Sequence, residues 1–152
     1  MAARTGRKLE RQFAFWDASA LVPLCVGQST TPRATSLFRK YEAVIWWATP
    51  LEIASALARL VRMKHLNPQD WAKCRNLAID LTDSCFVIQP SDALRSQAIQ
   101  MVEAYDLRAA DALQLSAALE WCEGAPRANV FLTADQRLRD AATLRGFEAL
   151  LV

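Results

Sequence analysis

Glycine is scarce in this 152-residue chain, which has four, and His65 is its single histidine. The first scarcity leaves no glycine-rich turn to cradle a phosphate: the first strand-to-helix junction reads Asp17-Ala18-Ser19-Ala20, without the glycines of a dinucleotide-binding fingerprint. The second argues against a zinc centre, which draws on paired cysteines and histidines at short spacing. Cys25, Cys74, Cys85 and Cys122 form no CxxC pair and sit in apolar or helical stretches, as reduced thiols of a cytoplasmic protein would. His65 follows Lys64 at the end of a helical stretch, a place for capping carbonyls or meeting solvent. No apolar run is long enough to span a bilayer. Excess charge is lacking too, since the formal net charge is +2, so no extended nucleic-acid-binding surface is expected. The basic residues are nevertheless arginine-rich, fourteen of eighteen, and arginine binds phosphate with two parallel hydrogen bonds.

What is present describes a globular α/β chain. Hydrophobic residues make up 53% and charged ones 22%, and the length suits one domain with a sizeable core. Apolar runs predict strands near 13–17, 43–47, 85–89, 129–133 and 147–151. Helical spacing of Leu51, Ala54, Leu57, Leu60 and Val61, and again of Leu107, Ala110, Leu113, Ala117 and Trp121, fills two of the gaps. Pro32 and Pro50 suit first turns, while Asn67-Pro68 and Ser91-Asp92 read as cap-and-start pairs. Strands alternating with helices predict a parallel sheet of four or five strands covered on both faces. The residues 1–12, with Arg4, Arg7, Lys8 and Arg11 against Glu10, read as a basic arm, and 13–152 as the domain.

Four carboxylates stand out. Asp17 closes the apolar run Phe13-Ala14-Phe15-Trp16, Glu52 follows Val44-Ile45-Trp46-Trp47, and Asp135 follows Val130-Phe131-Leu132-Thr133. These are strand-to-helix junctions, which in an open parallel sheet gather along the edge where ligands bind. Each also has a structural reading. Asp17 can cap the next helix, Thr49-Pro50-Leu51-Glu52 matches a capping box, and Asp135 suits a capped first turn. Asp111 lies between Leu107 and Leu115 and interrupts an apolar stripe, where a carboxylate is costly unless paired; Arg108 is the simplest partner. An ion pair accounts for Asp111 alone, whereas a divalent cation accounts for all four acids. Oxygen donors without thiolate or imidazole suit Mg²⁺ or Mn²⁺. Such an ion activates water and offsets charge on a phosphate, the chemistry of phosphodiester cleavage.

The segments Phe15-Trp16-Asp17-Ala18-Ser19-Ala20, Thr49-Pro50-Leu51-Glu52-Ile53-Ala54, Leu107-Arg108-Ala109-Ala110-Asp111-Ala112-Leu113 and Phe131-Leu132-Thr133-Ala134-Asp135-Gln136 occur in this order. Together they resemble the four acidic motifs of PIN-domain nucleases, and most of all the VapC toxins of bacterial toxin–antitoxin pairs. The resemblance runs from about residue 13 to the C-terminus. It implies a single PIN domain acting as a Mg²⁺- or Mn²⁺-dependent endoribonuclease, with Asp17, Glu52, Asp111 and Asp135 as its catalytic quartet. Asp17 and Asp111 are then direct metal ligands, and Glu52 and Asp135 hold the ion directly or through water. Ser19 and Thr133 match the family's polar positions and would orient a carboxylate, a water or the scissile phosphate. A homodimer, an RNA substrate (tRNA, rRNA or mRNA) and a small antitoxin that covers the acidic pocket are implied as well.

The chain departs from the commoner pattern in its longer arm before Phe13 and in Trp46-Trp47, whose neighbouring side chains must point to opposite faces of a strand. Core packing is the expected role there, with base stacking the alternative. Arg108, Arg137 and Arg139 lie near the acids in sequence; Arg108 is the candidate RNA contact, against roles in ion pairs with Asp111 and Asp140. Asp140 reads as a solvated helix position. A phosphotransfer receiver also gathers acids at strand ends, but no lysine of this chain follows a late strand. The remaining rival is a non-catalytic PIN-like domain that binds RNA or protein.

Overall fold

A computed structural model describes residues 11–152. Of the expected basic arm, 1–10 lie outside the described residues; Arg11 donates to the Phe38 carbonyl and pairs with Glu42 at 3.7 Å, and Gln12 already belongs to the first strand. In chain order the elements are β1 (Gln12–Trp16), α1 (Ala18–Cys25), α2 (Thr31–Lys40), β2 (Tyr41–Trp46), α3 (Thr49–Arg62) and α4 (Pro68–Asp83). There follow β3 (Phe86–Ile88), α5 (Asp92–Ala104), α6 (Ala109–Trp121), β4 (Val130–Thr133), α7 (Gln136–Arg145) and β5 (Glu148–Leu151).

The five strands form one parallel sheet in the order β3-β2-β1-β4-β5. Strand alternation sorts the apolar residues into two cores. Ala14 and Trp16 of β1, Ala43 and Ile45 of β2, and Val130 and Leu132 of β4 pack on the face covered by α1 to α4. Phe15, Val44, Trp46 and Phe131 point the other way, against α5, α6 and α7. The central strands are thus apolar on both sides, as a parallel sheet between helical layers requires. Burial of side chains such as Trp16, Phe15 and Phe131 stabilises the fold by about 1.5–3 kcal/mol each.

Local signals start and stop the helices. Asn67 Oδ1 accepts from the Asp70 amide at 2.8 Å and Ser91 Oγ from that of Leu94 at 3.0 Å, with Pro68 opening α4. Gly146, at φ 106°, ends α7 in the left-handed conformation, and the Phe147 amide then reaches back to Ala142 and turns the chain into β5. Trp46 is buried, as expected of a core residue, whereas Trp47 lies past the end of β2 and is 56% exposed.

From β1 the chain builds outward to β2 and β3, then crosses back to place β4 on the other side of β1. The strand order therefore reverses between β1 and β4, and a crevice opens there at the carboxyl ends of the strands.

Candidate functional site

Asp17 stands at that reversal. Trp16 is level with Leu132 across the β1–β4 pair, and the Asp17 amide donates to the Leu132 carbonyl at 2.9 Å, which brings Asp17 beside Thr133. The side chain caps α1, as the structural reading held: Oδ2 accepts from the Ser19 amide at 3.3 Å. It also accepts from two hydroxyls, Thr133 Oγ1 at 2.9 Å and Ser19 Oγ. Each hydroxyl is in turn fixed by a backbone amide, Ala134 donating to Ser19 Oγ at 2.8 Å and Asp135 to Thr133 Oγ1 at 3.0 Å. Chains of this kind polarise one another. All the bonds fall on Oδ2 and leave Oδ1 free, although Asp17 is only 4% exposed.

Glu52 enters from the first turn of α3, but not as a capping box. Ala48 precedes the helix, no side chain caps it, and Thr49 is its first residue. The Glu52 carboxylate turns instead to α6, where Gln114 Nε2 donates to its Oε1 at 3.0 Å and to Thr49 Oγ1 at 3.2 Å. Asp135 does cap α7, with Oδ1 accepting from the Leu138 amide at 2.9 Å.

Asp111 is placed differently from the sequence expectation. Helix α6 starts at Ala109, so Asp111 occupies its first turn, and the apparent stripe through Leu107 spans the entry to the helix. Arg108 is the residue before that helix, in extended backbone (φ −76°, ψ 161°), and makes no ion pair within 4 Å to Asp111 among the described residues. The simple Arg108–Asp111 pair is therefore corrected: Arg108 lines the same cavity as Asp111.

One open cavity of about 700 Å³ is lined by Asp17, Ser19, Glu52, Asp111 and Asp135 together, and by Arg59, Arg62, Arg108 and Arg137. The acids come from four places in the fold: the end of β1, the starts of α3 and α6, and the cap of α7. Thr133 lies beneath them, buried, with its hydroxyl on Asp17. Arg59 and Arg62 were not anticipated; they follow Glu52 at helical spacing on α3 and carry its face along the cavity wall. Arg137 pairs with Asp106 at 3.4 Å across an exposed rim, while Arg139 pairs with its neighbour Asp140 at 3.0 Å away from the cavity. Asp140 also accepts from Gln136, as a surface helix residue does.

Crowding of carboxylates shows in their protonation. Burial pushes Asp17 above the usual aspartate range, with Asp111 adding repulsion, while the Ser19 and Thr133 hydroxyls oppose the shift. Burial raises Glu52 to about 7, with repulsion from Asp17 and Asp111 working against the Gln114 amide. Asp111 is raised by burial and by Asp135, and lowered by the Arg108 amide and by the charges of Arg108 and Arg137. The cavity therefore holds acids that ionise together only at a cost.

That cost is what a hard cation offsets, and every donor offered is oxygen. Among the described residues no three acid, histidine or cysteine side chains converge closely enough to ligate one ion together. By donor type alone, the carboxylate oxygens lining the cavity are those that a magnesium-like ion accepts. The thiols are no alternative: all four are free, and burial raises Cys25 and Cys85 to about 11. Among the described residues no helix is long and apolar enough to cross a membrane.

Solved structures share this architecture. The chain resembles PAE2754 from Pyrobaculum aerophilum with a TM-score of 0.65 at 19% identity, covering 93% of this chain and 90% of that one. FitAcB from Neisseria gonorrhoeae gives 0.61 at 14% identity, with 89% and 96% covered. A chain of a toxin–antitoxin complex from Klebsiella pneumoniae gives 0.60 at 15%, with 82% and 88% covered. No family model and no curated protein matches the sequence. The likeness shows the fold, a PIN-like α/β domain.

Proposed function

We propose that this chain is a metal-dependent endoribonuclease of the VapC type, the toxin of a toxin–antitoxin pair, held inactive by a cognate antitoxin. The observation that carries the reading is the convergence of Asp17, Glu52, Asp111 and Asp135 from four separate elements on one cavity rimmed by arginines. A cap is needed at two of these positions, but capping gives no reason for four acids to face a common space. The likeness of the fold to a chain of a toxin–antitoxin complex supports the biological role and an antitoxin partner, and a homodimer in the cytoplasm is part of the same proposal.

In this reading Asp17 and Asp111 would hold Mg²⁺ or Mn²⁺ through oxygens left free of protein bonds, with Glu52 and Asp135 reaching it through water. The bound ion supplies a more acidic water and charge compensation at the phosphate. The protein's own residues do the rest. Ser19 and Thr133 hold Asp17 in one orientation, with Oδ1 directed away from the hydroxyl pair. Arg108 faces the cavity unpaired among the described residues and is the nearest arginine in sequence to Asp111, so it is the assigned contact to an RNA phosphate. Arg59 and Arg62 extend that positive border along α3.

The test is cleavage of total cellular RNA by the purified chain, freed of any co-purifying antitoxin, with Mn²⁺, with Mg²⁺ and with chelator, beside Asp111→Asn. Discrete metal-dependent cuts that vanish in the variant are expected. No cleavage by a folded, Mn²⁺-binding protein would favour the non-catalytic RNA- or protein-binding reading, and cuts persisting in Asp111→Asn would mark a contaminant.

A further inference from the structure

We propose that Gln114 is a positioning residue for the acidic site: its side-chain amide clamps the Glu52 carboxylate in the orientation that presents it to a bound divalent cation. The inference rests on the metal-dependent reading above and names a residue that the acid motifs do not include.

Gln114 lies one turn beyond Asp111 on the same side of α6, so a single helix carries both an acid of the site and the clamp for another acid on α3. Its Nε2 donates to Glu52 Oε1 at 3.0 Å and to Thr49 Oγ1 at 3.2 Å, which uses both hydrogens. Glu52 Oε2 takes no bond from a described residue and is the oxygen left for a ligand. Gln114 is 0% exposed, and its Oε1 is buried with no partner. Its neighbours Ala112, Leu115, Ala117 and Ala118 are buried apolar residues of the same core. An amide in such a setting, with half of its bonding capacity unmet, is a poor choice for packing alone. Leucine would fill the space without an orphaned carbonyl. The position makes sense when the Nε2 bonds are the reason for the residue. Partners of this kind, which orient a metal-binding carboxylate without touching the ion, change metal affinity by about 10- to 100-fold when removed.

The experiment titrates the full chain with Mn²⁺ by calorimetry, and measures RNA cleavage and the melting temperature of the same samples. Gln114→Leu is expected to weaken Mn²⁺ binding by about 10- to 100-fold while keeping a cooperative melting transition, lowered because Thr49 and Glu52 lose their donor. Gln114→His, which keeps an N–H donor at this position, is expected to stay within a few fold of wild type. In a Glu52→Gln background the leucine change should add little, because the clamped carboxylate is already gone; a purely structural role would give additive losses. Should Gln114→Leu fail to fold, Gln114→Met takes its place. Wild-type affinity in the leucine or methionine variant, or additivity in the cycle, overturns the clamp and leaves the ribonuclease reading standing. A wild-type chain that neither binds Mn²⁺ nor cleaves RNA overturns both.

Discussion

Thr133 Oγ1 donates to Asp17 Oδ2 at 2.9 Å, a bond between residues 116 positions apart that joins the ends of β1 and β4. It sits at the reversal of strand order, where the fold makes its crevice, and ties the most buried acid of the site to the framework. The hydroxyl also opposes the upward shift that burial imposes on Asp17. Thr133→Val keeps the shape and removes that opposition, so the Asp17 carboxyl should hold its proton to higher pH. If cleavage needs the ionised form, the acid limb of the pH–rate profile moves to higher pH. The Asp135 amide loses its acceptor in the same change, at a stability cost of about 1–3 kcal/mol by denaturant unfolding. An unmoved acid limb would remove Thr133 from any role in tuning Asp17.

Asp17→Asn tests the conflict between function and stability. A buried carboxylate among other acids destabilises the metal-free fold, while asparagine keeps an oxygen for the Ser19 and Thr133 donors. Cleavage should be abolished, and the melting temperature in chelator should rise. Added Mn²⁺ should then stabilise the wild type and leave the variant nearly unmoved. A variant that cleaves normally would strip Asp17 of its assigned role.

The shift at Glu52 gives the metal-free protein a definite pH dependence. Its carboxyl is raised from 4.5 to about 7, so the folded state holds the proton more tightly than the unfolded chain does. The corresponding stability is fully present below pH 4.5 and is lost as the pH rises through about 7. At about 1.4 kcal/mol per unit, the loss is bounded at about 3 kcal/mol, and Asp17 and Asp111 act in the same direction. In chelator, unfolding free energy should therefore fall between pH 5 and 7.5, and Glu52→Gln should flatten much of that slope. An equally steep profile in the variant would assign the effect to other groups.

Asp17 was legible in the sequence because an aspartate after four apolar residues contradicts strand propensity, and such contradictions mark sites. The sheet was legible for a related reason: continuous apolar runs such as Val130-Phe131-Leu132 fit strands buried on both faces. Periodicity misled at Asp111, since Leu107 and Leu115 keep helical spacing although the backbone before Ala109 is extended. The capping-box pattern at Thr49 misled as well, because its partner lies on α6, 62 residues from Glu52, and local patterns carry no information about such distances. Gln114 escaped notice for the same reason: within an apolar helix an amide announces neither burial nor partner.

Arg59 and Arg62 show a further limit, since helical spacing from Glu52 places them on one side of α3 but does not say that this side borders the cavity. Once the fold is known, their task can be argued. At 1.5 Å per residue they stand about 10 and 15 Å along the helix from Glu52, one to two nucleotides from the acids if RNA follows the helix. Neither is paired with an acid among the described residues, so each is available to displace counterions from a phosphate. With the inactive Asp111→Asn chain as host, changing both to glutamine should weaken binding of a single-stranded RNA. It should also lower the slope of log affinity against log salt by about 1.4, the value for two phosphate contacts on a single strand. Arg139→Gln, away from the cavity and paired with Asp140, should leave that slope unchanged. Equal slopes for all three proteins would mean that RNA leaves the acidic pocket by another route, past Arg108 and Arg137.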